Sequence, residues 1–324
     1  MRFQGPAGLI VIFGLLWVAG SAAAEPASPA ALISTGHVDD AIRLLQERIQ
    51  SVPNDAPAYH LLTRTYFYMG RWNEAVAAAE RAVALEPSSS DYQLWLARAV
   101  GEKAAHSGFV NAIRMVPKIR AAFERAVQLD GSNATARTDL AEFYMEAPAF
   151  LGGGRDKAAS QAELLAPLDP AAAHWVKAQL AEHAKSFEAA EQEYQAAIAA
   201  SRNAGNRWLD LAGFYQNRGR LDQMEHAIGK AVSADNRQST VLYEAAALLF
   251  QAGRNGSGTI ELLQKYLARD SQPESAPAYQ AHYLLGQVFE KQRDNKSAAA
   301  QYRAALALAR EFEPARYALK RVSQ

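Results

Sequence analysis

Apolar residues recur three or four positions apart along most of this chain, the spacing that places side chains on one face of an α-helix. In residues 56–89, one such face carries Tyr59, Leu62, Thr63 and Tyr66, and a second carries Ala75, Ala79 and Ala82. Gly70 and Arg71 separate the two faces, and a glycine at such a place ends a helix by adopting a left-handed conformation. The pattern predicts two amphipathic helices joined by a tight turn.

The same pattern returns at a fixed interval. Positions 34 residues apart carry corresponding residues in two separate regions, pairing Gly36 with Gly70, Ala41 with Ala75, Pro53 with Pro87, Trp208 with Leu242, Ala212 with Ala246 and Gly219 with Gly253. The prolines cannot continue an α-helix, so each closes the second helix of its unit. A period of this length predicts a protein of stacked helix pairs, in which each pair packs on its neighbours.

This pattern resembles the tetratricopeptide repeat (TPR) family over nearly the whole chain beyond the first 24 residues. The family alternates bulky and small residues on both helices, and further copies are seen at Trp208, Leu211, Ala212 and Tyr215 and at His282, Leu285, Gly286 and Phe289. The resemblance implies an all-α fold, a TPR-type α-solenoid in which antiparallel helix pairs form a right-handed superhelix. We expect about seven to eight repeats and a C-terminal cap helix.

A single solenoid domain is expected over residues 25–324. Its repeats are predicted at about 28–55, 56–89, 90–133, 134–170, 171–204, 205–238, 239–275 and 276–310, with the cap at 311–324. Two units are longer than the period allows, and we expect the surplus to form insertions between their helices, at 102–117 and 147–154.

The second insertion contains three consecutive glycines, Gly152, Gly153 and Gly154, followed by Arg155. A phosphate-binding loop needs a Gly-Lys-Ser/Thr order after a strand, and here the order is absent and a helix precedes the glycines. We expect instead that Phe150 and Leu151 are buried as an apolar plug and that the glycines permit left-handed turns. The alternative is a loop that projects over the binding face and contacts a partner.

The first residues predict export. Arg2 is followed by the uncharged apolar stretch 8–20 and then by small residues at Ala22 and Ala24, which together resemble a secretory signal peptide, residues 1–24, cut after Ala24. The apolar stretch is shorter than the roughly 20 residues of a membrane span. We therefore expect a periplasmic protein without stable membrane insertion. The alternative is an uncleaved N-terminal anchor.

Composition narrows the function classes. The chain has 34 Lys+Arg and 34 Asp+Glu, and this neutral balance argues against a nucleic-acid partner, whose phosphates call for a basic excess. Cysteine is absent, so disulfides and thiolate sites are excluded. The histidines show no metal-ligand spacing and no catalytic motif is found. We expect no enzyme activity, no cofactor and no metal.

In a TPR solenoid the first helices line the concave face, and the resemblance therefore selects candidate partner-binding positions. They are His60, Arg64, Phe67, Tyr68, Arg98, Trp175, Tyr243, Phe250 and Tyr283. Aromatic residues at such positions either anchor a partner or pack between repeats, and the sequence leaves both interpretations open. Chaperone-binding relatives carry a Lys/Asn/Arg carboxylate clamp, whereas the corresponding positions here hold His60, Arg64 and Leu94, which argues against that ligand.

These observations predict a non-catalytic protein–protein interaction scaffold or adaptor that binds a peptide or protein surface in its groove. The alternative is an accessory factor of cell-envelope or exopolysaccharide assembly or of secretion, whose groove aromatics contact glycan.

Overall fold

The computed structural model describes residues 28–202, 204–234 and 240–323, so the predicted signal peptide, residues 1–24, lies outside it. Within these residues the chain forms seventeen α-helices and one 3-10 turn, Ala149–Leu151. The α-helices are α1 Pro29–Ser34, α2 Val38–Ser51, α3 Ala56–Tyr68, α4 Trp72–Leu85, α5 Ser90–Ala105, α6 Phe109–Leu129, α7 Ala134–Glu146, α8 Arg155–Leu165, α9 Pro170–His183, α10 Phe187–Ala200, α11 Gly205–Asn217, α12 Leu221–Ser233, α13 Val241–Ala252, α14 Gly256–Leu267, α15 Ala278–Lys291, α16 Asn295–Leu308 and α17 Glu313–Val322.

The helices form eight antiparallel pairs, α1/α2 through α15/α16, followed by α17, so the predicted all-α solenoid with a final cap helix is confirmed. Each helix packs on the next one along the chain, and several first helices also pack on the first helix of the following pair, as α3 does on α5 and α11 on α13. The second helices make no comparable contact with one another in the described residues. The first helices therefore line the inner side of the stack.

Local chemistry sets where the helices begin. The side chains of Asp55, Asn133, Asp169 and Asp294 each accept a hydrogen bond from the backbone N–H three residues later, which satisfies a donor that the first helical turn leaves free. The turns inside the pairs follow the predicted chemistry, because Gly36, Gly70, Gly219 and Gly253 all have positive φ. Lys185 and Arg293 adopt positive φ in the corresponding turns after α9 and α15.

The core alternates small and large side chains, as the repeat pattern predicts. Ala75, Ala190 and Ala298 on the second helices are fully buried, which allows the first helices to approach closely. Tyr194 and Tyr302 fill the remaining space, and their hydroxyls hydrogen-bond to Glu182 and Glu290.

The prediction of an insertion at 102–117 is wrong in form. The surplus residues extend the helices on both sides, so that α5 runs to Ala105 and α6 begins at Phe109 and reaches Leu129. Pro117 lies inside α6, where its missing N–H removes one helical hydrogen bond. The segment forms a long helix rather than a loop because apolar residues continue through it at helical spacing. They include the half-buried Ala112 and Met115, which pack on the core.

The 147–154 segment is a connecting loop, but its expected apolar plug is not formed. Phe150 is 80% exposed and Leu151 is half-buried, because Pro148 leads into a single 3-10 turn that points the phenyl ring outward. Gly152 has the expected positive φ, whereas Gly153 is needed for another reason. A Cβ at Gly153 would lie 1.7 Å from the carbonyl oxygen of Ala147, so only glycine fits against that backbone.

The two ends of the solenoid meet. Residues from α15 to α17, among them Tyr279 and Phe312, belong to the same apolar cluster as Val38 and Leu45 of α2. Polar contacts cross the same junction: the Gln272 N–H donates to the Ser34 carbonyl at 2.9 Å, the Gln280 amide to the Tyr68 carbonyl at 2.7 Å, and the Arg310 N–H to the Asp39 carboxylate at 2.7 Å. The stack therefore closes into a ring around its inner face.

In the part of the chain that the structure describes, no helix combines the length and apolar character that a membrane crossing requires.

Candidate partner-binding groove

A cavity of about 750 Å³ opens on the inner face of repeats two to five. Phe67, Tyr68, Trp95 and Phe143 form an aromatic wall. The opposing polar groups are Arg98, Glu102, Asp139, Glu142, Glu146, Gln179 and His183. Its volume lies in the range of ligand sites, and the combination of apolar wall and convergent polar groups is typical of them.

Arg98 is held rigidly in this cavity. Its Nε and Nη2 donate to the two carboxylate oxygens of Asp139 at 2.6 and 3.2 Å, and its guanidinium lies 4.9 Å from the centre of the Trp95 ring. A two-pronged pair of this kind fixes both side chains. It joins α5 to α7 and positions the guanidinium at the cavity wall.

Glu142 lies one helical turn beyond Asp139 on α7 and faces the same cavity. Its carboxylate makes no hydrogen bond or ion pair within the described residues. Burial of the surrounding surface and the charge of Asp139 raise its pKa to about 7, against an ordinary value of 4.5. The charge of Arg98 opposes this shift only in part, so the cavity carries an acidic group that has no direct ion-pair partner among the described residues.

Of the nine predicted binding residues, three line this cavity: Phe67, Tyr68 and Arg98. The rings of Phe67 and Tyr68 are half-buried and make edge-to-face contacts with Trp95, with 5.5 and 5.9 Å between ring centres. The same rings therefore pack between repeats and line the cavity. Burial raises the pKa of the Tyr68 hydroxyl, which keeps it protonated and available as a hydrogen-bond donor.

His60 and Arg64 lie nearby on α3 but are held by acidic groups. His60 Nε2 is 2.9 Å from the Asp91 carboxylate, and its ring stacks on Tyr92 at 4.7 Å. Arg64 Nη2 is 2.6 Å from Glu274, which comes from the opposite end of the chain.

The other four predicted residues lie outside this cavity. Trp175 is half-buried between two apolar clusters, which it joins. Tyr243 contacts Tyr266 at 6.0 Å, and burial raises its pKa to about 12. Phe250 lies beneath Lys291 at 5.2 Å beside a smaller cavity of about 190 Å³, and Tyr283 packs on Tyr302 and Phe312. All four make packing contacts within or between repeats.

The sequence-based list of binding residues missed Trp95, Asp139 and Phe143. Trp95 is only 6% exposed, and its place in the repeat pattern marks it as a packing residue. Its edge nevertheless forms part of the cavity wall, and both Arg64 and Arg98 lie over its ring. The Arg98–Asp139 pair spans two repeats, so a helix pattern read one repeat at a time does not reveal it.

The glycine loop has no free amides to offer a phosphate. The N–H groups of Gly152, Gly153 and Gly154 donate to the carbonyls of Ala149, Pro148 and Tyr144 at 3.0, 3.2 and 2.8 Å. Lys157 is also engaged, because its ammonium donates to the Gly152 carbonyl at 2.8 Å. The described residues also contain no group of three or more His, Cys, Asp or Glu side chains placed to hold a metal ion.

Comparisons with known proteins agree with this architecture. A family model described as tetratricopeptide repeat matches residues 60–100 and 260–311, and no curated protein matches the sequence. The crystal structure of yeast Tom70 is similar at 17% identity, with a TM-score of 0.55, over 91% of this chain and 58% of the Tom70 chain. This chain thus spans little more than half of that relative, and the likeness shows the fold alone.

Two further solved structures are TPR proteins with lower scores. One, from Thermus thermophilus, shares 18% identity over 68% of this chain and 95% of its own, with a TM-score of 0.45. The other, from Parabacteroides merdae, shares 16% identity over 87% of this chain and 100% of its own, with a TM-score of 0.43. The two matched segments carry the tetratricopeptide-repeat pattern, and the stacked helix pairs between them continue it, so the chain has a TPR-type fold.

Proposed function

We propose that this protein is a non-catalytic scaffold that binds a peptide or protein surface in its inner groove. The TPR fold indicates a protein-interaction role, and the cavity carries the more specific proposal. One observation supports it above the others: the Glu142 carboxylate, which has no direct ion-pair partner among the described residues, faces an aromatic wall that is already formed. Pre-formed aromatic surface costs little conformational entropy when a partner binds.

A protein partner is favoured over glycan. Sugar stacking needs an exposed ring face, whereas the predicted groove aromatics Trp175 and Tyr243 are half-buried in packing contacts. The large apolar side chains that are exposed in the described residues, such as Phe109, Phe150 and Tyr317, are not among the candidate groove residues. A glycan partner would require these packed rings to rearrange.

The proposed location is the periplasm, on the strength of the predicted signal peptide at residues 1–24. Cell fractionation and N-terminal sequencing of the purified protein test this. We expect the protein in the periplasmic fraction with Glu25 as its first residue. Recovery in the membrane fraction with Met1 retained would support the uncleaved anchor instead.

Charge reversal at one position tests the groove. Glu142→Lys changes the cavity without removing a contact, because the carboxylate has no partner and its neighbours Asp139 and Glu146 are acidic. Glu188→Lys, on the exposed face of the second helix α10, makes the same charge change outside the groove. Both proteins should have wild-type thermal melts.

Affinity capture from periplasmic extract then compares the two variants with the wild type. We expect proteins retained by the wild type and by Glu188→Lys to be lost by Glu142→Lys. Identical sets of captured proteins for all three baits would contradict the groove proposal.

A further inference from the structure

The connection between α14 and α15 is longer than the others that the structure describes in full. It covers residues 268–277, whereas the connections at 52–55, 86–89 and 130–133 are short. This segment, called the strap below, is ordered by its own contacts: Tyr266 donates to the Ala276 carbonyl at 2.6 Å, and Gln272 is only 6% exposed.

The strap places a carboxylate on the groove. Its Gln272 binds the carbonyl of Ser34 in repeat one, and Glu274 reaches Arg64 of repeat two, where an Nη2–Oε2 distance of 2.6 Å makes an ion pair. Arg64 lies one helical turn before Tyr68, which lines the cavity, and its guanidinium is 5.3 Å from the centre of the Trp95 ring. The chain thus brings one of its own acidic groups to the edge of the proposed binding surface.

The ion pair between Arg64 and Glu274 leaves buried polar atoms without hydrogen-bond partners. Arg64 Nε and Glu274 Oε1 are both buried without a hydrogen-bond partner, so the pair is held by the single Nη2–Oε2 ion contact. The Arg98–Asp139 pair in the same groove shows the alternative, since both of its hydrogen bonds are made. Burial raises the pKa of Glu274 although Arg64 and His60 oppose the shift, which means that its charged form is held at a cost.

We propose that Glu274 is a built-in competitor for Arg64, and that a partner binds this edge of the groove by replacing Glu274 with a carboxylate of its own. The replacing group must be anionic, because removal of Glu274 alone would leave a half-buried guanidinium without its counter-charge. A carboxylate that also reaches Arg64 Nε would make a hydrogen bond that the strap does not make. This inference rests on the proposed groove function and adds a gate to it.

The test uses three fluorescent probe peptides and a set of variants. One peptide has capped ends and two central Glu residues, one is neutral with a free C-terminal carboxylate, and one is capped with Gln in place of Glu. The variants are Glu274→Ala and the double variant Arg64→Ala/Glu274→Ala. The control is Glu225→Ala on the second helix α12, which breaks an ion pair with Arg254. Urea unfolding verifies that each is folded, and the milder Glu274→Asp substitutes if Glu274→Ala is not.

We expect Glu274→Ala to bind at least one carboxylate peptide about tenfold more tightly than the wild type or Glu225→Ala does. Whichever peptide gains shows whether the carboxylate is a side chain or a chain terminus. The Gln peptide should gain nothing, and the double variant should lose the effect.

Equal affinity of wild type and Glu274→Ala for both carboxylate peptides would overturn the proposal, as would a gain that survives in the double variant. These outcomes are separate from the affinity-capture result at Glu142, which tests the groove function without reference to the strap.

Discussion

The carboxylate of Glu142 titrates near neutral pH, and this property has a consequence for stability. Its pKa is raised to about 7 in the folded protein by burial and by Asp139, whereas the unfolded chain titrates it near the ordinary 4.5. The folded state therefore binds the proton more tightly, and the free energy of unfolding contributed by this group falls as the pH rises from about 4.5 to 7. Above about pH 7 the carboxylate is charged in both states, and its burial lowers the free energy of unfolding by the full amount.

We expect Glu142→Gln to raise the urea midpoint at about pH 8 and to leave it almost unchanged at about pH 4.5, because the amide removes a penalty that exists only for the charged carboxylate. Urea titrations of the variant and the wild type at both pH values measure this. An equal change at both pH values would show that the effect does not come from the ionisation of Glu142.

Two glycines close together in the sequence allow the effect of backbone conformation on stability to be measured without a change in packing. Gly219 has φ +69° in the turn between α11 and α12, Gly213 is inside α11, and a Cβ would meet no atom within 4 Å at either. We expect Gly219→Ala to lower the free energy of unfolding by ~1 kcal/mol, since alanine is strained at positive φ. Gly213→Ala should raise it by ~1 kcal/mol, because alanine favours the helix. Changes of the same sign in urea unfolding would contradict this explanation.

At the scale of helices, the Arg98–Asp139 pair joins the first helices of two repeats across the groove wall. We expect Asp139→Asn to lower the free energy of unfolding by ~2 kcal/mol, because the partly buried guanidinium loses its counter-charge and at least one hydrogen bond. Glu225→Gln, which alters a more exposed pair with Arg254, should cost less than ~0.5 kcal/mol. If Asp139→Asn and Glu225→Gln lowered the free energy of unfolding equally, Arg98 would be stabilised by Trp95 rather than by Asp139.

The helix pairs themselves could be predicted from the sequence, because the turn glycines and closing prolines repeat at a fixed offset. Gly70 and Gly253 lie in the left-handed turns that this offset predicts. The extra residues at 102–117 were wrongly predicted to form an insertion between helices. Comparison with the repeat length shows where residues are added, but not which secondary structure they form. The exposure of Phe150 could not be predicted either, since it follows from the single 3-10 turn that begins after Pro148.

At the scale of the molecule, closure of the solenoid depends on pairs far apart in sequence. Arg64 and Glu274, like Asp39 and Arg310, belong to different repeats at opposite ends, and no local pattern relates them. The sequence therefore predicted Arg64 as a groove residue without its partner. The same holds for the cavity, whose wall combines residues from α3 to α9.

Closure can be tested by disulfide formation, because the chain has no cysteine of its own. The backbone N–H of Gln272 donates to the Ser34 carbonyl at 2.9 Å, so the two residues are neighbours across the junction. We expect the double variant Ser34→Cys/Gln272→Cys to crosslink on mild oxidation, seen as a faster band in non-reducing electrophoresis. Ser34→Cys/Ser186→Cys, with the second cysteine in the turn before α10, should stay reduced. Similar crosslinking of both pairs would contradict a closed ring.

The central claim is that a partner occupies the inner groove, and photo-crosslinking in the producing cells tests it most directly. Glu142→p-benzoylphenylalanine places the crosslinker in the cavity, and Glu188→p-benzoylphenylalanine places it on the exposed face of α10. We predict a discrete protein adduct from position 142 that is absent from position 188. The same adducts from both positions, or adducts from position 188 alone, would contradict the claim.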